Sequence, residues 1–211
     1  MSLVSDVISD VRVEINDTGS TRFTNDTTSI LPIVKQAIRR ANRICQRASL
    51  HFAKKRASIT CTPSQAYVTF AAAGITDIDI PIGLYRDSTH DKIIQRTEQE
   101  WETDATATEL SYWFLDLQDS YIRFNGTPTT AALLTLWYYP VVDPSAYTTA
   151  STMPWGGRLD DIISRYVALR LQNIDEMDVT MDEKILQDME QSIISTYQPQ
   201  SPIMVAGAGW L

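Results

Sequence analysis

The hydrophobic period changes twice along this chain, and that change constrains the fold more than any other feature. Apolar residues recur at helical spacing in the first fifty residues, as in Val4, Val7, Ile8 and Val11. From Ser58 to about residue 142 the pattern is alternating or β-branched, with breaks such as Pro63 and Gly74. The helical period returns from Leu159 onward. The sequence therefore predicts helices at both ends and strands between them.

These patterns predict four helices and seven strands. The first helix is expected over residues 2–16, and the second from about Pro32 to roughly Lys55. Two more follow, around Leu159–Ile174 and Met181–Ile193. A single helical turn is expected near Glu98–Glu102. The predicted strands are Ser58–Thr62, Gln65–Phe70, Ile78–Ile80, Lys92–Gln95, Leu110–Leu115, Ser120–Phe124 and Ala132–Tyr139.

Neither pair of predicted helices can bury its apolar stripe alone. The simplest solution packs the N-terminal pair against the C-terminal pair and leaves the strands as an insertion. The sequence therefore predicts an α+β fold with a helical bundle built from residues 1–57 and 155–197. Residues 58–154 form the predicted β-rich insertion with its linker, and residues 198–211 form an extended C-terminal arm.

Composition excludes several classes of protein. The net charge of −8 and the pI of about 4.7 disfavour general affinity for nucleic acid. There is no run of apolar residues long enough to span a membrane and no secretory leader, so we expect a protein made in the cytosol. Cys45 and Cys61 have no partners at zinc-site spacing, and we expect two buried or half-buried free thiols.

The charges are strongly segregated along the chain. Eight of the 18 basic residues lie between Lys35 and Arg56, where no acidic residue occurs. Acidic residues dominate from Asp175 to Glu190 and include Asp178, Asp182 and Glu183. These two segments are predicted electrostatic partners, either within one subunit or between neighbours. Alternatively, Arg39, Arg43 and Arg47, at four-residue intervals, form a ridge that touches DNA phosphates.

The C-terminal arm is uncharged and apolar. No charged side chain occurs from Gln191 to Leu211, and Pro199 and Pro202 prevent a helix there. We expect the arm to dock on another protein chain, with folding back onto its own subunit or disorder as the alternatives. The residues expected to make this contact are Pro202, Ile203, Met204, Val205, Trp210 and Leu211.

No constellation of residues predicts catalysis or cofactor binding. His51 and His90 are the only histidines, and neither is spaced to serve a nucleophile or a metal. Asp116 and Asp119 bracket a predicted hairpin, and Asp77 with Asp79 fits outward-facing strand positions as well as a cation site. The aromatic residues of the strands are more typical of a sheet core and rim than of a sugar or base platform. We therefore expect no enzyme activity, no metal and no cofactor.

Four stretches, in this order, resemble the head-to-tail adaptor (connector) proteins of tailed bacteriophages, especially short-tailed ones. They are the arginine-rich helix around Ala37–Ile44, the segment Ile78–Tyr85, the aromatic hairpin Ser120–Tyr139 and the run from Met153-Pro154 into Leu159–Leu171. Together they cover nearly the whole chain.

The resemblance implies a structural virion protein at the junction of neck and tail. It implies a dodecameric ring beneath the portal protein, with the C-terminal arm reaching up to the portal and the β-rich part facing a downstream tail or nozzle protein. Genomic DNA would pass through the ring without specific binding, and no membrane is involved. The alternatives are another tail or neck subunit, a nucleic-acid-binding protein that uses Arg39, Arg43 and Arg47, or a cell-wall hydrolase using Glu98 or Glu100.

Overall fold

The structure, a computed structural model, describes residues 2–100, 106–174 and 180–197. It confirms the mixed helix-and-strand composition, with four α-helices and a seven-stranded sheet in these residues. The contacts divide the chain into two compact units, one of Met1–Ala53 with Val142–Leu211 and the other of Lys54–Val141. The helices are α1 (Val4–Glu14), α2 (Leu31–Arg47), α3 (Asp160–Asn173) and α4 (Thr180–Tyr197).

At the start of helix α1, the backbone N–H groups that have no acceptor within the helix are hydrogen-bonded to other groups. The Asp6 carboxylate accepts the backbone N–H of Leu3 at 2.8 Å. The N–H groups of Val4 and Ser5 donate to the carbonyls of Ser151 and Thr149, both at 2.9 Å. Helix starts leave such N–H groups unsatisfied unless side chains or neighbouring backbone accept from them. The segment before α3 thereby fixes the position of the first helix.

The other three helices of this unit pack against α3. Helix α3 contacts α1, α2 and α4, and buries Ile163, Val167 and Leu171. Helix α2 contributes Val34 and Ile38, which are both fully buried. Because apolar residues recur at helical spacing on each element, each buries one face and leaves the opposite face to solvent.

The second helix is shorter than predicted. Helix α2 ends at Arg47, not near Lys55, because Ser49 adopts a left-handed conformation with φ of 55°. The N–H groups of Ser49 and Leu50 then donate to the carbonyls of Gln46 and Cys45, at 3.2 and 3.0 Å. This pair of hydrogen bonds is the Schellman motif that commonly closes a helix. Lys55 and Arg56 consequently belong to the first strand and not to the basic helix.

The second unit contains all seven strands of the sheet. Their bounds are β1 (Lys55–Cys61), β2 (Tyr67–Thr69), β3 (Ile78–Arg86), β4 (Lys92–Gln95), β5 (Tyr112–Asp116), β6 (Tyr121–Phe124) and β7 (Ala132–Pro140). Each overlaps a predicted strand, although β3 continues well beyond Ile80. The predicted turn near Glu98 is a 3-10 helix over Glu98–Glu100, and residues 101 and 102 lie outside the described residues.

The strand order is β1-β7-β3-β4-β5-β6-β2, and only β4 and β5 pair in parallel. The core of this unit is formed by fully buried side chains, among them Ile59, Leu84, Trp113, Phe124 and Leu136. The buried indole of Trp113 donates its N–H to the carbonyl of Ile93 at 3.1 Å. A buried polar group needs such a partner, so this bond fixes the orientation of the largest core residue.

Candidate functional site

A strongly charged surface of the helical unit is a groove along the exposed side of α2, which we call the arginine groove. Its volume is about 410 Å³. The groove is lined by Gln36, Arg39, Arg40, Arg43, Ile44 and Arg47 from α2, by Tyr166 from α3 and by Glu190 from α4.

The helical period explains why these arginines share one surface. Val34, Ala37, Ile38, Ala41, Ile44 and Cys45 form the buried face of α2. Positions 39, 43 and 47 are four residues apart, and such positions lie above one another on a helix. All three arginines are exposed, as their spacing in the sequence predicts.

Two of the four groove arginines have a carboxylate partner in the same chain. Arg40 donates from Nε to Oε1 of Glu190 at 2.7 Å, and its guanidinium lies 5.7 Å from the ring centre of Tyr166. Burial alone would lower the pKa of Arg40, but the hydrogen bond and the charge of Glu190 raise it. Arg39 lies 3.8 Å from Asp143, in a pair in which both side chains are about half exposed. That exposed pair adds little stability.

Arg43 and Arg47 have no ion pair with any residue that the structure describes. Helix α4 runs beside the groove, yet no charged residue follows Glu190 in the sequence. The groove therefore presents two guanidinium groups that its own chain does not neutralise within the described residues.

The predicted acidic partners fall largely where the structure gives no side chains. Asp178 lies outside the described residues, and Asp182 and Glu183 belong to the first turn of α4 without described side chains. Their pairing with the arginines stays a prediction. Glu190, from the same acidic segment, pairs with Arg40 inside one subunit.

The structure also brings together acidic residues that the sequence keeps far apart. Helix α1 packs against α3, and this packing brings Asp6 and Asp10 of α1 near Asp160 and Asp161 in the first turn of α3. Burial raises the pKa of the Asp160 carboxyl, and the negative charges of the other three raise it further. No ion pair neutralises these four side chains among the described residues. We call them the acidic cluster.

Other titratable residues are placed for structural roles. His51 contacts Phe52 edge-on, with ring centres 5.9 Å apart, and His90 lies in an exposed turn. Asp116 and Asp119 both bind Arg123, at 2.8 and 3.1 Å. In the described part of the chain, no group of three or more metal-ligating side chains is arranged to hold a metal ion.

Both thiols are free and buried, as predicted from the sequence. Burial raises the pKa of the Cys45 and Cys61 thiols to about 12. A thiol is a nucleophile only as the thiolate, so neither cysteine is suited to catalysis near neutral pH.

Comparison with known protein families shows which class of protein this chain is. The family model described as SU10 adaptor protein matches residues 2–202. The chain belongs to the SU10 adaptor protein family. No curated protein shows significant similarity to it.

Membership of the SU10 adaptor family confirms the resemblance to phage head-to-tail adaptors, while a short-tailed phage stays a prediction. A SU10 adaptor is a structural protein of the virion neck, which associates with other neck and tail components. The family therefore implies a structural and not a catalytic role. No helix among the described residues of this adaptor has both the length and the hydropathy to cross a membrane.

The aromatic residues of this adaptor serve mainly as core. Trp113 is fully buried, and Tyr138 and Tyr139 are buried as well. Trp137 lies between the buried Leu136 and Tyr138 on β7 and is 37% exposed. The guanidinium of Arg96 lies 4.1 Å from the ring centre of Tyr112, which places a cation over an aromatic face.

The predicted docking arm of the adaptor, including Pro202, Ile203, Met204, Val205, Trp210 and Leu211, lies outside the described residues. The last described residue is Tyr197, whose ring packs edge-on against Phe52 at 4.9 Å. Its hydroxyl donates to the carbonyl of Arg158 at 3.1 Å. The end of α4 is therefore held against the segments that follow α2 and precede α3.

Proposed function

We propose that this adaptor forms a dodecameric ring between the portal protein and the tail, around the path of the genomic DNA. The helices of neighbouring copies pack side by side in this ring, with the β-rich unit toward the next tail component. The observation that carries the proposal is the arginine groove, whose Arg43 and Arg47 lack an acidic partner among the described residues. Charges left unmatched within one chain point to contacts made in an assembly.

The arm is the proposed contact with the portal. Tyr197, the residue before the arm, packs against Phe52, so the end of α4 has a defined position. Ile203, Val205, Trp210 and Leu211 supply apolar side chains without any charge between Gln191 and Leu211. An uncharged extended segment of this kind suits an apolar groove or the edge of a sheet on a partner.

The charge of the whole chain suits a passage for DNA. Because the net charge is −8, a ring of such chains repels a polyanion at long range and does not hold every phosphate. Arg39, Arg43 and Arg47 belong either to contacts between subunits or to the wall of the channel. In both cases, DNA moves through without binding at a specific sequence.

The test is the mass of the purified chain mixed with the portal ring, for the full protein and for a version ending at Tyr197. We expect the full chain to join the portal in a large fixed stoichiometry and the shortened chain not to bind. Leu117→Ser is a matched control, because Leu117 is a 59% exposed apolar residue that follows β5, outside the helical unit. This control should bind like the full chain.

A chain that stays monomeric and ignores the portal would contradict the proposal and favour a different neck or tail component. Tight DNA binding by the isolated chain, falling steeply with salt, would instead favour a nucleic-acid-binding role for the arginine groove.

A further inference from the structure

Two unmatched charged surfaces lie in the same helical unit. The arginine groove carries Arg43 and Arg47 without a carboxylate partner among the described residues. The acidic cluster consists of Asp6, Asp10, Asp160 and Asp161, and it too has no ion pair there. The two surfaces have opposite charge, and both consist of side chains held on helices.

The partial positive charge at the N-termini of α1 and α3 explains only some of the aspartates in the acidic cluster. Asp6 lies in the first turn of α1, and Asp160 and Asp161 lie in the first turn of α3. Negative side chains at these positions are favourable because helix N-termini carry partial positive charge. Asp10 lies beyond the first turn of α1, so this argument does not apply to it. Asp10 also adds to the repulsion that raises the pKa of Asp160.

The two surfaces face in different directions. Tyr166 lines the arginine groove, whereas Asp160 and Asp161 meet the acidic residues of α1. Asp161 and Tyr166 are five residues apart on α3, which places them about 140° apart around the helix axis. A single copy therefore presents its positive and its negative surface on well-separated sides of one helix.

We infer that the arginine groove of one copy receives the acidic cluster of the next copy in the ring. A contact between two different surfaces is head-to-tail, and such contacts close into rings when the rotation between copies allows it. A two-fold dimer pairs the two surfaces with each other only if both lie within one interface, and here they lie on well-separated sides of α3. This inference rests on the proposed ring, and it names acidic residues other than Asp178, Asp182 and Glu183 as the partners of the groove.

Charge reversal tests the pairing directly. One variant, Arg43→Glu with Arg47→Glu, makes the groove acidic. A second variant, Asp6→Arg with Asp10→Arg and Asp161→Arg, makes the cluster basic, because three arginines then outweigh the remaining carboxylate of Asp160. Each variant alone then offers two surfaces of like charge, whereas a mixture of both variants restores opposite charges at every contact if the copies alternate.

The readout is the number of copies bound to each portal ring, measured by native mass spectrometry at half the saturating amount. Lateral contacts between neighbouring adaptor copies make their binding to the portal cooperative. The wild type should therefore give mostly full or empty rings, that is, portal rings with all adaptor positions occupied or none. Each variant alone should give a broad distribution, and the mixture should return to full or empty rings with the two variants in equal numbers. Arg56→Glu is the matched control, because Arg56 is an exposed arginine of β1 outside the groove.

The possible outcomes distinguish a failure of this inference from a failure of the proposed function. If the wild type does not bind the portal, the proposed function fails. If the wild type binds and each reversed variant stays as cooperative as the wild type, the head-to-tail pairing is wrong while the proposed function stands. If the variants lose cooperativity and the mixture does not regain it, the groove meets a different surface. Circular dichroism and unfolding midpoints of the variants show whether each is folded.

Zero-length carbodiimide coupling gives an independent test. Arg43→Lys keeps the charge and supplies an amine that couples to a nearby carboxylate. With mixed isotope-labelled and unlabelled chains on the portal, we expect coupling between residue 43 and Asp10 or Asp161 of different copies. Coupling only to Asp178, Asp182 or Glu183 would overturn the inference.

Discussion

At the scale of single residues, Arg12 is a buried charge with several partners. Its guanidinium binds the carboxylates of Asp17 and Asp26, with a distance of 2.9 Å to Asp17. It also donates to the carbonyl of Phe23 at 2.6 Å. Arg12 and Asp17 are both buried, and a planar guanidinium matches several acceptors at once. This network holds the loop between α1 and α2 in place, although the sequence gives no sign of it beyond the residue types.

Replacing Arg12 with alanine should therefore destabilise the protein by about 3 kcal/mol, because it leaves the buried Asp17 carboxylate without its cation. Arg12→Lys keeps the charge but not the forked geometry, and it should recover only part of that stability. Chemical denaturation followed by circular dichroism measures both variants. A loss within about 0.5 kcal/mol, typical of exposed surface substitutions, would show that the network contributes little.

The same network predicts how stability depends on pH. The backbone N–H of Arg22, together with those of Phe23 and Thr21, lowers the pKa of Asp17 to about 2. In the unfolded chain this pKa is about 3.9. Because the folded pKa is the lower one, the contribution of Asp17 is complete above about pH 4 and is lost as the pH falls toward 2.

Asp17→Asn should remove this part of the pH dependence. The stability difference between wild type and variant should be largest near pH 7 and should shrink as the pH falls from about 4 to 2. Urea unfolding at a series of pH values measures it. A difference that stays constant over that interval would mean that Asp17 does not titrate with a lowered pKa.

At the scale of elements, the sequence predicted which segments are strands but not how they are ordered. Alternation along β1 places Ala57, Ile59 and Cys61 on the buried face, and the same alternation is visible in the sequence. Alternation does not reveal the neighbour of a strand, so the pairing of Arg56 with Trp137 on β7 had no sequence signal. The end of α2 was misplaced because a serine, and not a glycine, adopts the left-handed conformation at position 49.

The candidate site likewise contains one feature that the sequence predicted and one that it did not. The four-residue spacing of Arg39, Arg43 and Arg47 was sufficient to place them on one exposed face. The acidic cluster was missed because Asp6 and Asp10 meet Asp160 and Asp161 only through the packing of α1 against α3. Local periodicity contains no information on which distant helices meet.

The end of α2 gives a prediction at this scale. Ser49→Gly should stabilise the protein by about 0.5 kcal/mol, because glycine adopts positive φ without the steric cost that serine meets, while part of the gain is lost to a more flexible unfolded chain. Ala48→Gly is the matched control, since Ala48 has φ of −82° and glycine brings no benefit there. Thermal unfolding of the three proteins measures the difference. Equal effects at positions 48 and 49 would contradict the role given to Ser49.

At the scale of the whole molecule, the lateral contact and the portal contact that we propose differ in charge. The helical unit presents exposed charges in the arginine groove and the acidic cluster. The segment from Gln191 to Leu211 contains no charge at all. Contacts between exposed charges weaken as salt is added, whereas burial of apolar side chains does not depend on charge. The two proposed contacts, lateral and portal, should therefore respond differently to ionic strength.

Raising sodium chloride from about 0.1 M to 1 M shortens the screening length from about 10 Å to 3 Å. In the portal-binding experiment, the wild type should then change from full or empty rings to a broad distribution of bound copies, while the affinity of single copies for the portal is retained. The double variant Arg43→Glu with Arg47→Glu should already show the broad distribution at low salt and should change little. Persistence of full or empty rings at 1 M would mean that lateral contacts are mainly apolar. A parallel loss of single-copy binding would mean that the uncharged arm is not what holds the adaptor to the portal.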